Sequence, residues 1–410
     1  MISKSVLIIG LNYAPEQTGI APYTTGMAES LIRSGHSVDV ITSYPHYPSW
    51  FVTPESKMLP SVSVSAGVRL RRIRHYVPRR PKLLNRSLME LHFGFRAIAS
   101  RWGAADTLVL VSPSLFASAL AILRARLFHR ERKIIVWVQD IYSLGLTETG
   151  SGGSKIARVL GLVEAFVFRS ADRVCVIHER FARTVELMGV PPCNVRVIRN
   201  WNHFKVATDG TGRKVEARRR LGWDAQKTIV LHAGNMGVKQ GLENVIEAAR
   251  LVDRGDMDIE FVLLGDGNQR EDLESQATGI ESLRFVSPLP DGQFTDALKA
   301  SDILLVNEKA GVVEMAVPSK LTTYFAAGRP VLACTNSAST TADVVAESGG
   351  GVVVGAGSPE ILVGAVRQLR DDPNRMADLA SWGLDYCAGQ LSASQSAADF
   401  MCVLEELSGT

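Results

Sequence analysis

The sequence predicts an α/β protein of two doubly wound, parallel-sheet, Rossmann-like domains that face each other across a cleft. Patterns of buried strands alternate with amphipathic helical patterns along the whole chain, which is typical of parallel sheets covered by helices. The alternation starts as βαβ, with a strand at 5–10 (SVLIIG), a helix at 22–33 and a strand at 37–42 (SVDVIT). At 410 residues the chain is too long for one hydrophobic core and suits two domains of roughly 200 residues each.

The first domain continues with further strands and helices in alternation. We predict a strand at 68–73, a helix at 88–102, a strand at 107–111, a helix at 115–128, a strand at 134–138, a helix at 155–169, a strand at 173–177, a helix at 181–188 and a strand at 195–198. Arginines interrupt the pattern at 68–73, so this strand is predicted at an exposed edge. The aromatic, proline-punctuated segment SYPHYPSW (43–50) is predicted to be a loop at the carboxyl end of a strand.

A polar, glycine-containing stretch at 202–213 is the best candidate for a linker, and the second half repeats the alternation. Its strands are predicted at 228–232, 259–264, 283–286, 303–306, 330–333 and 351–354. The predicted domains are therefore 1–203 and 214–387, with a last helix at about 388–410 that packs back on the first domain. Ligands of such folds bind at the carboxyl ends of the strands.

Composition excludes several classes of protein. The 46% hydrophobic and 21% charged residues are those of a soluble globular protein, and a net charge of +3 is too small for a nucleic-acid-binding chain. The five cysteines lack paired spacing, so neither a disulfide framework nor a zinc site is expected. The chain enters a strand without a signal peptide, and no apolar run reaches the ~18 residues of a membrane span. We therefore expect a cytoplasmic protein with no nucleic-acid partner.

The segment TIVLHAGNMGVKQGLENVIEAA (228–249) combines a buried strand, a glycine turn and an amphipathic helix. Its turn contains Gly234, Asn235, Gly237 and Lys239, and the helical pattern restarts at Gly241. Free amide groups and the positive end of a helix dipole at such a turn favour a phosphate, and Lys239 adds a mobile positive charge. The same pattern also suits an ordinary βα turn with a solvated lysine.

Three further segments allow a ligand to approach the backbone: FVLLGDGNQREDL (261–273), PSKLTTYFAAGRPVL (318–332) and the first loop around Gly19. Gly265 and Gly267 follow a strand, where the missing side chains leave room for a flat or charged ligand. Ser319 and Lys320 stand at the N-terminus of a helix, which suits an anion but also suits plain capping.

Seven segments in order carry a resemblance that covers essentially the full chain. They are NYAPEQTGIAPYT, VITSYPHYP, WVQDIY, IRNW, AGNMGVKQGLENVIEAA, LLGDGNQREDL and VPSKLTTYFAAGRPV. The sequence resembles the retaining glycosyltransferases of the GT-B fold, glycosyltransferase family 4. Within that family it is most similar to bacterial exopolysaccharide and O-antigen enzymes of the colanic-acid fucosyltransferase type. The resemblance implies transfer of a sugar from a nucleotide-diphosphate donor with retention of configuration.

The resemblance also implies that the C-terminal domain holds the nucleotide-diphosphate sugar. The implied donor residues are Gly19, Asn235, Gly237, Lys239, Gly265, Gly267, Leu289, Ser319, Lys320 and Thr323. Lys239 would lie on the diphosphate, and Gly19 would approach the phosphates from the N-terminal domain on closure. The backbone near Gly265, Gly267 and Leu289 would lie close to the nucleoside. Ser319 and Lys320 would lie by the diphosphate or the donor sugar.

The N-terminal domain would receive the acceptor. The implied acceptor residues are His46 and Tyr47 in the 43–50 loop, together with Asp140. Three roles stay open for Asp140: a base, an anchor for an acceptor hydroxyl, or a helix cap. Two other histidines, His178 and His232, are expected to be structural.

This sequence departs from the family pattern at three places. Asn235 stands where many members carry arginine, so Lys239 is expected to be the only strong cation on the leaving group. Gln139 and Asp140 stand where many members carry a histidine. Thr323 replaces the carboxylate that often binds the ribose hydroxyls, and Glu308 and Glu314 are the candidates for its partner glutamate.

The reaction leaves negative charge on the diphosphate, which a lysine, amide groups and helix ends can stabilise. One Asp-Met-Asp sequence, 256–258, precedes a predicted strand, whereas a metal-binding pair is expected after a strand's carboxyl end. We therefore expect no catalytic metal and no cofactor other than the nucleotide-diphosphate sugar as co-substrate.

A basic region runs from Arg71 to Arg101, with nine cations against the single acid Glu90. The cations are Arg71, Arg72, Arg74, Arg79, Arg80, Lys82, Arg86, Arg96 and Arg101. Such a run is ordinarily a solvated face, but anionic head groups attract basic clusters by ~1 kcal/mol per residue. We expect the region to hold the protein peripherally on the inner face of the cell membrane, where a polyprenyl-diphosphate-linked glycan acceptor resides.

Two other functions stay open. A sugar-nucleotide epimerase of the same fold needs no acceptor, but it would want a set of carboxylates and histidines around the sugar that the sequence does not supply. A non-catalytic, membrane-associated scaffold is suggested by the departures at Asn235 and Thr323.

Overall fold

The computed structural model describes residues 3–17, 19–79, 82–143, 154–202, 212–255, 257–311 and 319–407. The chain divides into two compact units, the first formed by Met1–Asn200 with Ala393–Thr410 and the second by Trp201–Ser392. Each unit is a sheet covered by helices, so the predicted α/β class is confirmed.

The first unit contains an eight-stranded sheet. Its strands are β1 (Ser5–Ile9), β2 (Ser37–Ser43), β3 (Val62–Ser65), β4 (Val68–Ile73), β5 (Thr107–Val111), β6 (Lys133–Val138), β7 (Arg173–Val176) and β8 (Val195–Val197). Its helices are α1 (Ala21–Arg33), α2 (Pro54–Lys57), α3 (Leu83–Ala99), α4 (Leu115–Phe128), α5 (Ser154–Arg169), α6 (Glu179–Leu187) and, from the end of the chain, α15 (Ala393–Glu406). The strand order is β3-β4-β2-β1-β5-β6-β7-β8, and only the β3–β4 pair is antiparallel.

The central strands β1, β5 and β6 are apolar runs because helices cover both faces of a parallel sheet. Ile8 of β1 pairs with Val40 on one side and Val109 on the other, and all three are buried. The strand order reverses between β1 and β5, so the loops that follow these strands border the crevice where doubly wound sheets bind ligands.

The prediction of an edge strand at 68–73 is wrong. β4 lies inside the sheet between β2 and the antiparallel β3, which forms the edge. The sequence did not reveal β3 because its VSVS segment is mostly exposed and lacks the apolar run of a buried strand; a tight turn in which Ala66 and Gly67 both adopt positive φ joins it to β4. One consequence concerns Arg72, which is buried and donates to Ser63 Oγ at 3.0 Å and to the Ala14 carbonyl at 3.3 Å.

The second unit contains a six-stranded, fully parallel sheet. Its strands are β9 (Thr228–Ala233), β10 (Ile259–Leu264), β11 (Leu283–Val286), β12 (Ile303–Asn307), β13 (Val331–Cys334) and β14 (Gly351–Val354). Its helices are α7 (Gly212–Leu221), α8 (Glu243–Arg254), α9 (Arg270–Gln276), α10 (Asp291–Ala300), α11 (Ser319–Ala326), α12 (Thr340–Ser348), α13 (Pro359–Arg370) and α14 (Pro373–Gln390). The strand order is β11-β10-β9-β12-β13-β14, which reverses between β9 and β12.

The last helix, α15, belongs to the first unit rather than to the second. Phe400 is fully buried with its ring centroid 5.6 Å from that of Trp137 on β6. The Glu406 carboxylate pairs with Arg173 at 3.4 Å and with Arg196 at 2.9 Å. These contacts fasten the end of the chain to β6, β7 and β8.

The turns after β9 and β10 pack backbone against backbone. The Met236 amide donates to the Asp266 carbonyl at 2.8 Å, and the Gln269 amide donates to the Met236 carbonyl at 3.0 Å. A Cβ at Gly265 would lie 1.9 Å from the Gly234 oxygen, and one at Gly267 would lie 2.3 Å from the Met236 oxygen. Both glycines are therefore required by the neighbouring turn, a reason that the sequence had not indicated.

Gly267→Ala should lower the free energy of unfolding by about 2 to 3 kcal/mol, because the backbone at Met236 must move to admit the methyl group. Denaturant titration measures this loss. Gly355→Ala is the matched control, since a Cβ there meets nothing within 4 Å, and it should change stability by no more than about 0.5 kcal/mol. Equal stabilities for the two variants would contradict the packing argument.

Candidate functional site

The candidate site of the second unit lies at the carboxyl edge of its sheet, between β9 and β12. The strand order reverses there, and doubly wound sheets bind ligands at such a point. The glycine turn that carries Lys239 follows β9 directly, and Glu308 follows β12. The residues predicted to bind a phosphate therefore stand where the fold itself favours a ligand.

Lys239 is exposed on a single turn of 3-10 helix that is fixed from β12. The Lys309 amide donates to the Lys239 carbonyl at 2.8 Å. The Asn307 side-chain amide donates to the Gln240 carbonyl at 2.7 Å and to the Gly241 carbonyl at 2.9 Å. The backbone that bears the lysine is thus held in place, while its side chain extends to the surface.

The predicted helix start at Gly241 is wrong, because α8 begins at Glu243 and Gly241 adopts a left-handed φ of +52° at the end of the 3-10 turn. Several amides that were expected to be free donate within the protein. They are Gly234 N to Leu264 O, Met236 N to Asp266 O, Gly237 N to Gln240 Oε1 and Gln240 N to Gly237 O, at 2.8 to 3.1 Å. An anion at this turn would therefore be bound by the lysine side chain more than by these amides.

Lys320 brings a second cation to the same turn. Its Nζ lies 3.6 Å from the position that a Cβ on Gly234 would occupy. One helical turn later on α11, the Tyr324 hydroxyl accepts from the Ala233 amide at 2.8 Å and donates to the Ala233 carbonyl at 3.2 Å. This pair of bonds fastens α11 to the end of β9 and so sets the position of Lys320.

Burial lowers the pKa of Lys320 to about 8, and the nearby Glu308 carboxylate partly opposes that shift. Glu308 is itself engaged, since it accepts hydrogen bonds from the hydroxyls of Thr335 and Thr341. The Lys320 ammonium is therefore poorly stabilised by its surroundings, and an anionic ligand at the turn would favour its charged form. Burial, followed by the charge of Lys320, also holds the pKa of His232 well below its usual range, so this fully buried ring is neutral.

The other donor residues fall into two groups. Asn235, Gly237, Gly265 and Gly267 lie in the packed turns next to Lys239, and Lys320 approaches these turns from α11. Leu289 instead packs against the hydrophobic core, and Thr323 is only 4% exposed on the buried side of α11. Ser319 begins α11, while Pro318, Glu314 and Asp256 lie outside the described residues.

In the first unit, Glu16 joins the loops that follow β1 and β2. Its carboxylate accepts from the amides of His46 and Tyr47 at 2.7 and 2.9 Å. His46 is buried, with Nδ1 hydrogen-bonded to the Tyr44 carbonyl at 3.0 Å, so its ring supports the loop from inside. Tyr47 is 38% exposed, and a Cβ on Gly19 would lie 3.1 Å from its ring. The structure thus brings Gly19 and Tyr47 together and turns His46 inward.

Asp140 is exposed at the carboxyl end of β6. Its Oδ1 accepts from the Ile141 amide at 2.9 Å, and its carbonyl accepts from Ser112 Oγ at 3.0 Å. β1 and β5 lie between β2 and β6, which places the His46 loop roughly 14 Å away along the sheet edge. Asp140 and His46 therefore follow strands that are not adjacent in the sheet.

Sequence reasoning missed two buried glutamates that hold the segment after Asp140. Glu90 of α3 accepts from the Tyr142 hydroxyl and, at 3.2 Å, from the Phe116 amide. Glu164 of α5 accepts from the Tyr142 amide at 2.5 Å. Burial raises the pKa of both carboxyls, that of Glu90 to about 7. The only indication of either glutamate in the sequence was that it is the one acidic residue of a helix that is otherwise basic or apolar.

Arg86 also faces this segment rather than the solvent. Its guanidinium carbon lies 5.2 Å from the ring centroid of Tyr142 and 5.6 Å from that of Trp50. It connects the end of the 43–50 loop with the segment after β6 through two cation–π contacts.

The predicted basic region is therefore not one cationic surface. Arg72 is buried in the sheet, Arg86 lies between aromatic rings, and Arg80 falls outside the described residues. The exposed members are Arg74, Arg79, Lys82, Arg96 and Arg101. Charges that are close in sequence are distributed here over a strand, a loop and a helix.

Among the described residues, no group of three or more histidine, cysteine, aspartate and glutamate side chains is placed to hold a metal ion. Because Asp256 is not among them, metal independence stays a prediction. The described helices include none that is both long enough and apolar enough to cross a bilayer.

Comparison with known proteins identifies relatives for both units. A family model described as "Glycosyl transferase 4-like domain" matches residues 18–201, and one described as "Glycosyl transferases group 1" matches residues 214–383. The chain is 33% identical over 382 residues to the "Putative colanic acid biosynthesis glycosyl transferase WcaI" of Escherichia coli K12, covering 88% of this chain and 91% of that protein.

Solved structures share the fold over the full length. A sucrose-phosphate synthase from Thermosynechococcus elongatus superposes with a TM-score of 0.76 at 16% identity, covering 99% of each chain. Anabaena Alr3699/HepE, solved in complex with UDP, gives a TM-score of 0.73 at 14% identity and covers 99% of this chain and 100% of that one.

The buried Glu90 should make stability depend on pH. Its folded pKa of about 7 exceeds the ordinary glutamate value of 4.5, so the folded state binds more protons than the unfolded state between these two values. The free energy of unfolding should therefore fall by a few kcal/mol as the pH rises through this window, and Glu90→Gln should remove that dependence. Denaturant titrations at both ends of the window measure it, with the exposed Glu131→Gln as the control. Parallel pH profiles for native protein and Glu90→Gln would contradict the assignment.

Proposed function

Because the chain belongs to the GT-B glycosyltransferases of family 4, we propose that it transfers a sugar from a nucleotide-diphosphate donor to a polyprenyl-diphosphate-linked glycan with retention of configuration. The product would enter a bacterial surface polysaccharide, as the name of the E. coli relative suggests. One observation carries the donor half of the proposal: Lys239 and Lys320 both reach the turn at the switch point of the second sheet.

The two lysines would stabilise the diphosphate as the sugar–phosphate bond breaks. Negative charge grows on the leaving oxygen, and cations already in place stabilise it most in the transition state. Lys239 would follow the phosphates from an exposed position, whereas Lys320 would act from a fixed one beside Gly234. With Lys320 present, asparagine at position 235 does not leave Lys239 as the only cation at the turn.

The acceptor would meet the first unit near Asp140 and Tyr47, whose side chains are exposed at the carboxyl edge of the sheet. Asp140 would accept a hydrogen bond from the attacking hydroxyl, and Glu90 and Glu164 would hold the following segment in position. A polyprenyl-linked acceptor lies in the membrane, so the protein would work peripherally on its cytoplasmic face.

An epimerase acting on the same nucleotide sugar is the main alternative. The second unit offers it little acid–base chemistry near the lysine turn, because His232 is fully buried and Glu308 is bonded to two threonines. Incubation with the donor alone separates the two functions: an isomeric nucleotide sugar would indicate epimerisation, whereas hydrolysis, or transfer once an acceptor is added, supports the glycosyltransferase. A chain that binds no nucleotide sugar would instead be a scaffold.

Thermal unfolding with a panel of UDP-, GDP- and dTDP-sugars tests donor binding. A ligand at a hundred times its Kd stabilises the folded state by about 2.7 kcal/mol, so one nucleotide should raise the melting temperature by several degrees. Lys239→Ala should abolish this shift and sugar transfer while leaving the unliganded melting temperature unchanged, since the side chain is exposed. Lys227→Ala removes one positive charge just before β9, at the opposite end of that strand, and is the control for the loss of charge. Undiminished transfer by Lys239→Ala would refute the role of this lysine.

The pKa of Lys320 should appear in the pH dependence of donor binding. Bound diphosphate raises the pKa above its free value of about 8, so affinity is full below pH 8 and falls by up to about tenfold per pH unit above it. Calorimetry with the nucleoside diphosphate selected by the panel measures the fall. Lys320→Arg keeps its charge at all these pH values and should flatten the profile. A native profile that is already flat up to pH 10 would argue against contact between Lys320 and the phosphates.

A further inference from the structure

Three adjacent helices of the first unit expose an unusual amount of apolar surface. α3 packs against α4, and α4 packs against α5, so the three form one continuous layer over the sheet. Nine of their large hydrophobic side chains are 42% to 78% exposed: Leu84, Leu88 and Phe95 on α3, Leu123, Leu127 and Phe128 on α4, and Val159, Leu162 and Phe166 on α5. Scattered exposed hydrophobics are ordinary, but a contiguous set marks an interaction surface.

These side chains form stripes that packing on the sheet does not explain. On α3, Met89, Phe93 and Ala97 point inward and are buried. The outward residues Leu84 and Leu88 lie four positions apart on another side of the helix, with Phe95 two turns further on. α3 thus has one apolar stripe that packs on the core and a second that faces away from it.

The exposed charges within these three helices have one sign. Within the three helical ranges the only acids are Glu90 and Glu164, and both are 2% exposed because they hold the Tyr142 segment. Exposed cations include Arg96 on α3 and Arg158 and Arg169 on α5, while the loop just after α4 carries both Arg130 and the exposed Glu131. The outer surface of these helices is therefore apolar and cationic, without an exposed carboxylate of its own.

A groove of about 430 Å³ lies between α3 and α4 in the same layer. It is lined by Ile98, Leu120, Leu123, Leu127 and Phe128, with Arg124 and His129 at its polar end. The Arg124 guanidinium is held 4.2 Å from the Trp102 ring and donates to the Ser100 carbonyl at 2.8 Å. The lining suits a hydrocarbon chain with an anionic group near the arginine.

We propose that the α3–α4–α5 layer is the surface by which this protein docks on an anionic lipid bilayer. Apolar side chains that enter the boundary between head groups and acyl chains, beside cations that attract the head groups, are what interfacial binding requires. A second copy of the chain fits poorly, because a two-fold interface would set these arginines against one another with no exposed carboxylate on the helices to compensate. The docking proposal rests on the proposed function only for the purpose of docking, which is access to a lipid-linked acceptor.

Flotation of the full chain with phosphatidylglycerol-containing vesicles tests the proposal, with phosphatidylcholine vesicles as the neutral comparison. Replacing one outward residue per helix, as Leu88→Gln, Leu127→Gln and Leu162→Gln together, should lower the bound fraction on anionic vesicles roughly tenfold or more. Arg96→Gln, Arg130→Gln and Arg158→Gln together should lower it similarly, and added salt should weaken native binding.

A matched control replaces exposed apolar residues away from the layer: Leu187→Gln, Val215→Gln and Ile361→Gln, at native exposures of 90%, 63% and 49%. This variant should bind vesicles like the native chain. Native-level binding of vesicles by the outward triple variant would overturn the proposal. It would also be overturned if the native chain formed a dimer that the triple variant disrupts and neither protein bound vesicles.

The nucleotide-induced thermal shift, measured on the same variants, separates this proposal from the enzymatic one. A normal shift with lost flotation in the outward triple variant supports the docking layer and shows that the fold is intact. Normal native flotation with no shift for any nucleotide sugar would refute the proposed function and leave the docking layer standing.

Discussion

The close packing of the turns after β9 and β10 is the constraint on which the site of the second unit depends. Main chain contacts main chain there because Gly265 and Gly267 have no side chains to separate the turns. Asn307 then holds the following 3-10 turn from the side of β12. An exposed lysine is thus mounted on a fixed backbone, and much of the backbone entropy that binding would otherwise cost is already lost on folding.

The first unit positions its loops by a different device, the buried carboxylate. Glu16 accepts two backbone amides from the loop after β2, and Glu90 and Glu164 together hold the segment after β6. A buried carboxylate with unsatisfied oxygens is costly, so each of these glutamates strongly favours one loop conformation. The carboxyl edges of the two sheets are therefore organised by contacts that their loops make with neighbouring elements.

Much of the architecture could be predicted from the sequence, because buried parallel strands are apolar runs and need no knowledge of their neighbours. The edge strand β3 could not, since its mostly exposed VSVS segment lacks the apolar run that marks a buried strand. The site was predictable only where its chemistry is local, as at Lys239 and Lys320. The local pattern cannot predict contacts between residues that are distant in sequence, such as Asn307 with the lysine turn or Glu90 with Tyr142. The same limit explains why the burial of Thr323 was not foreseen and why the nine basic residues looked like one surface.

The return of α15 to the first unit has a consequence for how the chain is made. Phe400 packs against Trp137, and Glu406 pairs with Arg173 and Arg196, so the first unit lacks these contacts until residues 393–406 have been made. In the order of synthesis, those residues follow the whole second unit, 201–392. The strands of the first unit are therefore translated before the second unit, whereas the helix that completes their packing is translated after it.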